Sequence, residues 1–357
     1  MNEYLSDKLK VIGFISMILV VYIHSYNINV NYTSEVVALE NGYSSFIQNF
    51  LSQGVARAAV PLYFIISGYL FFLNINRATL WGAITKKVGK RINSLLIPFM
   101  FWSIAGIFLY YLLQTFPASK NYFTQKLVQN YSSEDFLFRI FIEPVPYQLW
   151  FIRDLFLIVL LSPFIYYTTR HLRVLPIIFL IPFWFFNWNP YIFELQSLLF
   201  FMIGAYFAIN KIKPESIHLS KTKSISLWAF WILTLFLKTF LIHSQYENYL
   251  LIVIIHKFCI ALGIVVVWLL YDQFSINKPL WIRFKIFSQF SFFLYLSHEP
   301  ILTILRKSGY TLLGKSEMAS LILYLLLPVL VVVFCIAFGF VLKKGLPRFY
   351  LTITGGR

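Results

Sequence analysis

Ten apolar stretches, each about as long as a lipid bilayer is thick, constrain this chain more than any other feature. They fall at roughly 9–28, 55–74, 93–114, 147–169, 174–189, 191–210, 224–243, 248–271, 284–306 and 318–342. A helix of about twenty residues, rising about 1.5 Å per residue, crosses about 30 Å of hydrocarbon. Only 12% of the 357 residues are charged and 59% are hydrophobic, whereas about a quarter of a soluble domain is charged. The expected fold is therefore an all-α integral membrane protein, a bundle of about ten transmembrane helices. It forms a single domain over 1–357, because the longest gap between stretches, about 115–147, is too short for a separate soluble domain. Pro176, Pro182 and Pro190 crowd the pair 174–189 and 191–210 and blur their ends.

Lysine and arginine set the expected orientation, since short cytoplasmic loops hold an excess of both. With the N-terminus inside, 20 of the 30 basic residues fall in cytoplasmic segments, among them Lys8, Lys10, Arg77, Lys90, Arg91, Lys278 and Arg357. Only six fall opposite: Lys120, Lys126, Arg139, Arg306, Lys307 and Lys315. Both termini are thus expected in the cytoplasm. The first apolar run is too long for a signal peptide and lacks a small-residue cleavage site, so it is expected to remain as a span. The net charge of +16 is absorbed by this topology and by anionic lipid headgroups, which makes nucleic acid an unexpected partner. Cys259 and Cys335 lie in apolar runs and read as small hydrophobes.

Ionisable side chains within spans are costly, which makes each one a functional candidate. On this topology His24, Arg57, Arg153 with Asp154, Glu194, and His298 with Glu299 all fall in the outer half of their spans. Plainer readings stand beside these: structural ion pairing with groups on other helices for Arg153 and Asp154, and solvation at the headgroup boundary for Glu194 and Glu299. The histidines resist such readings, because a neutral imidazole is tolerated at membrane depth and moves protons near neutral pH. No metal is expected, since His171, His218, His243 and His256 show no ligand spacing and no cysteine joins them.

Five motifs in sequence order then point to a family. They are Ile18 to Ser25 with His24 near its end, Arg57-Ala-Ala-Val-Pro61 running on to Ser67-Gly68-Tyr69, Lys90-Arg91 followed by Pro98 and Trp102, Gln148-Leu-Trp150-Phe-Ile-Arg153-Asp154, and Ser291 to Pro300 with Tyr295 and His298. Their order and spacing resemble the membrane-bound acyltransferase-3 family over essentially the whole chain. Within it the chain is most similar to members that O-acetylate bacterial surface polysaccharides, of the enterobacterial common antigen and O-antigen type.

The resemblance implies transfer of an acetyl group from cytoplasmic acetyl-CoA to a hydroxyl of a surface glycan or lipid-linked oligosaccharide. It implies a multi-pass protein of the bacterial inner membrane. His24 matches the family's essential histidine, either as general base or as transient acyl carrier. Arg57, Arg153 or the Tyr295 hydroxyl would stabilise the oxyanion, and His298 would shape the acceptor site. Lys90 and Arg91 would meet the CoA phosphates, although positive-inside topology explains the same two residues. Arg57, Trp150, Glu194 and Glu299 are the expected acceptor contacts. One position departs from the pattern: Gly13 stands where the family carries a base eleven residues before the histidine, and Lys10, about 4.5 Å further along nearly the same helix face, is its expected substitute among the CoA-binding groups. Two other readings stay open, a flippase for a lipid-linked glycan and a decayed acyltransferase serving as a binding or sensor protein.

Overall fold

A backbone in hydrocarbon must satisfy its own polar groups, and a helix does so within one segment. In the computed structural model, which describes residues 1–28, 42–76, 80–117, 126–190, 192–274, 278–314 and 316–356, all secondary structure is helical. Arg77, Lys120, Lys315, Arg357 and the side chain of Lys278, which enter the charge bias, lie outside the described residues. The helices are α1 (Glu3–Ser25), α2 (Tyr43–Ser52), α3 (Ala59–Phe72), α4 (Leu80–Arg91), α5 (Ile97–Thr115), α6 (Ser133–Phe141), α7 (Trp150–Leu160) and α8 (Ser162–Leu172). They continue with α9 (Leu175–Phe185), α10 (Leu195–Ile209), α11 (Lys221–His243), α12 (Tyr249–Phe274), α13 (Lys278–Phe287), α14 (Ser291–Leu313), α15 (Glu317–Gly345) and α16 (Pro347–Ile353).

All ten apolar stretches are largely helical, but among the described residues six helices are long and apolar enough to cross a membrane. These are α1, the α2–α3 unit Tyr43–Phe72, the α4–α5 unit Leu80–Thr115, α11, Tyr249–Gln273 of α12, and α15. A seventh arises if α7 and α8, bent by 65°, act as one broken span. The remaining stretches are interrupted. The proline-crowded pair yields α9 and α10, of 11 and 15 residues, and α14 is broken at Glu299, whose φ of −106° and ψ of 139° leave the helical region. Pro300 explains that break, because it offers no N–H and pushes the preceding residue toward extended backbone.

Two glycines set the closest helix crossing. A Cβ on Gly68 of α3 would stand 2.0 Å from the Phe201 carbonyl oxygen, and one on Gly204 of α10 would stand 1.9 Å from that of Ile65. Small residues at such a crossing let two backbones touch, the main source of helix adhesion where lipid offers no hydrophobic drive. The crossing fixes α3, which carries Tyr63 and Ser67, against the rest of the bundle. Around it Phe64, Phe71, Phe72, Phe201, Ile152 and Leu294 form the main apolar core.

At the N-terminal end Lys8, one of the basic residues assigned to the cytoplasmic segments, is fully buried, with its ammonium 2.7 Å from Asp272 of α12 and 4.0 Å from the Trp268 ring centroid. A buried ammonium persists only with such compensation, so α1 is tied to α12 by charge as well as by packing.

Candidate active site

His24 stands in the last turn of α1. The carbonyls of that turn have no partners within the helix, and the Arg306 guanidinium meets two ends of the chain there, at 3.1 Å from His24 O and 3.2 Å from Tyr26 O. A cation at a helix C-terminus also complements the helix dipole. The His24 side chain bonds through Nδ1 to the Tyr147 hydroxyl at 2.6 Å, and that hydroxyl donates to Glu299 Oε1 at 3.1 Å. The chain of bonds assigns the histidine tautomer. The Tyr147 hydroxyl gives its one proton to Glu299, so its oxygen accepts from His24 Nδ1–H and Nε2 keeps the lone pair. Glu299 is 2% exposed, so it is a member of this buried chain and not a solvated group at the headgroup boundary.

The break in α14 organises the rest. Without an N–H on Pro300, the Leu296 carbonyl loses its helical partner. Gln148 supplies one, its Nε2 donating to Leu296 O at 3.4 Å and to Glu299 O at 3.2 Å. Glu299 Oε2 in turn accepts the Thr303 N–H at 3.3 Å, as a capping side chain does for a helix start. The Tyr295 hydroxyl donates to Gln148 O. Residues 147–149 are thus stapled to α14 at several points, and the staple aims Tyr147 at His24. His298 is fully buried, its ring centroid 5.1 Å from that of His24. Its Nδ1 lies 3.0 Å from Leu294 O and 2.8 Å from Tyr295 O, so that nitrogen carries the proton. Its Nε2 is a buried acceptor with no hydrogen-bond partner among the described residues.

Three cavities line up through this point. A cleft of about 470 Å³ is lined by Lys87, Lys90 and Arg91 together with Leu70, Phe71 and Ser94. A narrow inner cavity of about 170 Å³ shares Phe71 and Arg91 with it, and runs past Met17, Val20 and Tyr63 to His24, Gln148 and Trp150. An outer cleft of about 920 Å³ holds Tyr110, Tyr131, Tyr147, Arg153 and Lys307, and shares Trp150 with the inner cavity. Shared lining residues thus set side by side a cluster of cations, a largely apolar cavity that includes the His24 imidazole, and an aromatic-lined cleft.

The expected site residues divide accordingly. His24, His298 and Glu299 come together; Lys90 and Arg91 line the basic cleft; Trp150 stands between the inner cavity and the outer cleft. Lys10 stands apart, half exposed and 3.8 Å from Asp7, and it does not line the basic cleft. Arg57 is held by Gln53, at 2.7 Å from Nε to Oε1. Arg153 pairs with Asp154 at 2.8 Å, and Asp154 Oδ2 accepts the Glu194 N–H at 2.9 Å and the Ser197 hydroxyl at 3.1 Å. Asp154 thereby ties α7 to the start of α10, and Glu194 is the N-cap residue of α10. The Tyr295 ring lines the inner cavity, but its proton is committed to Gln148. Tyr147 and Gln148 carry no charge at neutral pH and so do not stand out in an apolar run. The one signal for Gln148 was its place in the Gln148-Leu-Trp150 motif. No group of three or more potential metal-ligating side chains lies among the described residues.

Residues 8–343 match the sequence model of the acyltransferase domain of the acyltransferase-3 family. The match covers nearly the whole chain, and the protein belongs to this family of membrane acyltransferases. No curated protein and no solved structure matches the chain.

Proposed function

We propose that this protein is an O-acetyltransferase of the bacterial inner membrane. It takes the acetyl group of cytoplasmic acetyl-CoA and delivers it to a hydroxyl of a surface polysaccharide or its lipid-linked precursor, of the common-antigen or O-antigen type. The observation that carries this reading is the line of three spaces from Lys87, Lys90 and Arg91 to His24 and on to the cleft beyond Trp150. A polyanionic donor suits the first space, a thin acyl-bearing stem the second, and a sugar, which stacks on aromatic rings, the third. The basic end then faces the cytoplasm together with both termini, and the broken helices complete a bundle of about ten crossings.

In the reaction the acceptor hydroxyl enters beside His24. Its oxygen attacks the thioester carbonyl while His24 Nε2 takes its proton. The tetrahedral intermediate collapses by breaking the carbon–sulfur bond, and the imidazolium returns the proton to the leaving thiolate. The Tyr147–Glu299 chain holds the tautomer and stabilises the imidazolium as it forms, the role an orienting carboxylate plays beside a catalytic histidine. Arg57, Arg153 and Tyr295 direct donors to Gln53, Asp154 and Gln148 respectively, so the proposal assigns the oxyanion to none of them.

NMR or mass analysis of surface glycan from cells with the gene, without it, and with His24→Ala tests the reading. Loss of O-acetyl groups in both knockout and variant is the expected result. Reduced glycan export with unchanged acetylation per sugar would favour the flippase instead.

A further inference from the structure

Two residues that line the inner cavity, Gln148 and Ser291, each carry a buried side-chain oxygen with no hydrogen-bond partner among the described residues, Gln148 Oε1 and Ser291 Oγ. Gln148 is 1% exposed. Its carboxamide cannot turn over to relieve the oxygen, because Nε2 is the donor that serves the carbonyls freed by the break in α14. Buried polar groups in folded proteins are nearly always paired, so each exception asks for an explanation. Here both residues line one cavity whose other walls are mostly hydrocarbon and aromatic, with Ser67 and Arg91 the polar additions, a basic cleft adjoining it at Phe71 and Arg91, and His24 among its lining residues. Ser291 begins α14, and the carbonyl of Leu296, to which Gln148 is fastened, lies about 7.5 Å along the helix from it.

The missing partner is therefore a stem that offers an N–H to Gln148 Oε1 near the reacting end and an acceptor to the Ser291 hydroxyl about one and a half helical turns earlier. We propose that Gln148 and Ser291 grip the two amides of a pantetheine arm. Gln148 accepts from the amide N–H nearer the thioester, and Ser291 donates to the carbonyl of the amide nearer the phosphate. This rests on the acyl-transfer reading and deepens it, because it selects the donor class: an acyl phosphate or an acyl lipid has no such amides. Coenzyme A and the phosphopantetheine of an acyl carrier protein share the chemistry, and differ in what occupies the basic cleft.

The test uses the purified full-length protein and measures Kd for three soluble probes: coenzyme A, 4′-phosphopantetheine, and adenosine 3′,5′-bisphosphate, which has the charge but no amide. Gln148→Leu and Ser291→Ala are each expected to weaken the first two about five- to tenfold, the effect of one hydrogen bond, and to leave the bisphosphate unchanged. Ser291→Ala removes no hydrogen bond from the folded protein, so it carries the test alone if Gln148→Leu, which strips two carbonyls of their donor, fails to fold. Unchanged coenzyme A affinity in the variants overturns the grip while leaving acyl transfer intact, as does an equal loss for the bisphosphate. Failure of the unaltered protein to bind any pantetheine probe overturns the proposed acetyl-CoA donor with it. Competition by holo acyl carrier protein stronger than by coenzyme A identifies the carrier-borne source of the same arm, and the reverse order identifies the free cofactor.

Discussion

Replacing Tyr147 with phenylalanine removes one oxygen and leaves the ring, which lies 4.9 Å from the His24 ring centroid. The lost oxygen is the sole bridge drawn between His24 Nδ1 and Glu299 Oε1, at 2.6 and 3.1 Å. In the ground state its loss unpairs a neutral ring N–H. In the transition state it also strands a forming imidazolium away from the carboxylate that would steady it. Hydrogen bonds to charged groups contribute about 1.5–3 kcal/mol, which converts to a fall in kcat of about 10- to 150-fold. The donor cavity does not include Tyr147, so coenzyme A affinity should stay as it was. Acetyl transfer by protein in liposomes, at saturating donor, measures the first quantity, and equilibrium binding measures the second. Glu299→Gln in the Tyr147→Phe background should add little, because the two side chains act through one chain of bonds. A kcat within about twofold of the unaltered protein would refute the relay, given the hydrogen-bond energies above. An equal loss of donor affinity would show that Tyr147 supports packing and not proton transfer.

Trp150→Ala opens the one side chain shared by the inner cavity and the outer cleft; acetate release from acetyl-CoA without acceptor should rise while transfer falls, and an unchanged ratio of the two would count against the wall. At Gly13 a Cβ would meet nothing nearer than Tyr63 at 3.9 Å, so Gly13→Arg should be accommodated and should raise acetylation in cells, and no gain would show that the missing base is already replaced. In the segment between α5 and α7, the side-chain bond from Lys126, then the Ser132 N–H and hydroxyl, lower the Asp135 pKa to about 2. A depressed carboxylate contributes stability above its unfolded value, about 3.9, and loses it as pH falls through the folded one. The capping box at the start of α6 should therefore hold at pH 5 and open between about pH 4 and 2, which backbone NMR or limited proteolysis of that segment can follow.

What the sequence disclosed was governed by charge. His24, His298 and Glu299 stood out because an ionisable group in an apolar run is expensive, and that cost is visible without coordinates. Tyr147 was hidden among the many aromatics of a membrane chain, and its role depends on a partner 152 positions away. Charge alone did not disclose partners: Lys8 entered the cytoplasmic count without sight of Asp272, and Arg306 entered the opposite count without sight of the carbonyls at the end of α1. The number of apolar stretches was legible, but whether each is one straight helix was not. The 65° bend between α7 and α8 and the opening of α14 at Glu299 depend on local backbone geometry and not on average hydropathy.

The missing hydrogen on Pro300 has a consequence for how this chain can change. Any other residue at position 300 would offer an N–H to Leu296 O and compete with Gln148 for it, releasing the carboxamide that staples residues 147–149 beside His24. Any residue at 148 without a donor would leave two carbonyls in the dry core without a partner while proline remains. Each substitution alone is penalised by what the other position still demands, so the two sites are expected to be exchanged only as a pair, although 152 positions of chain separate them.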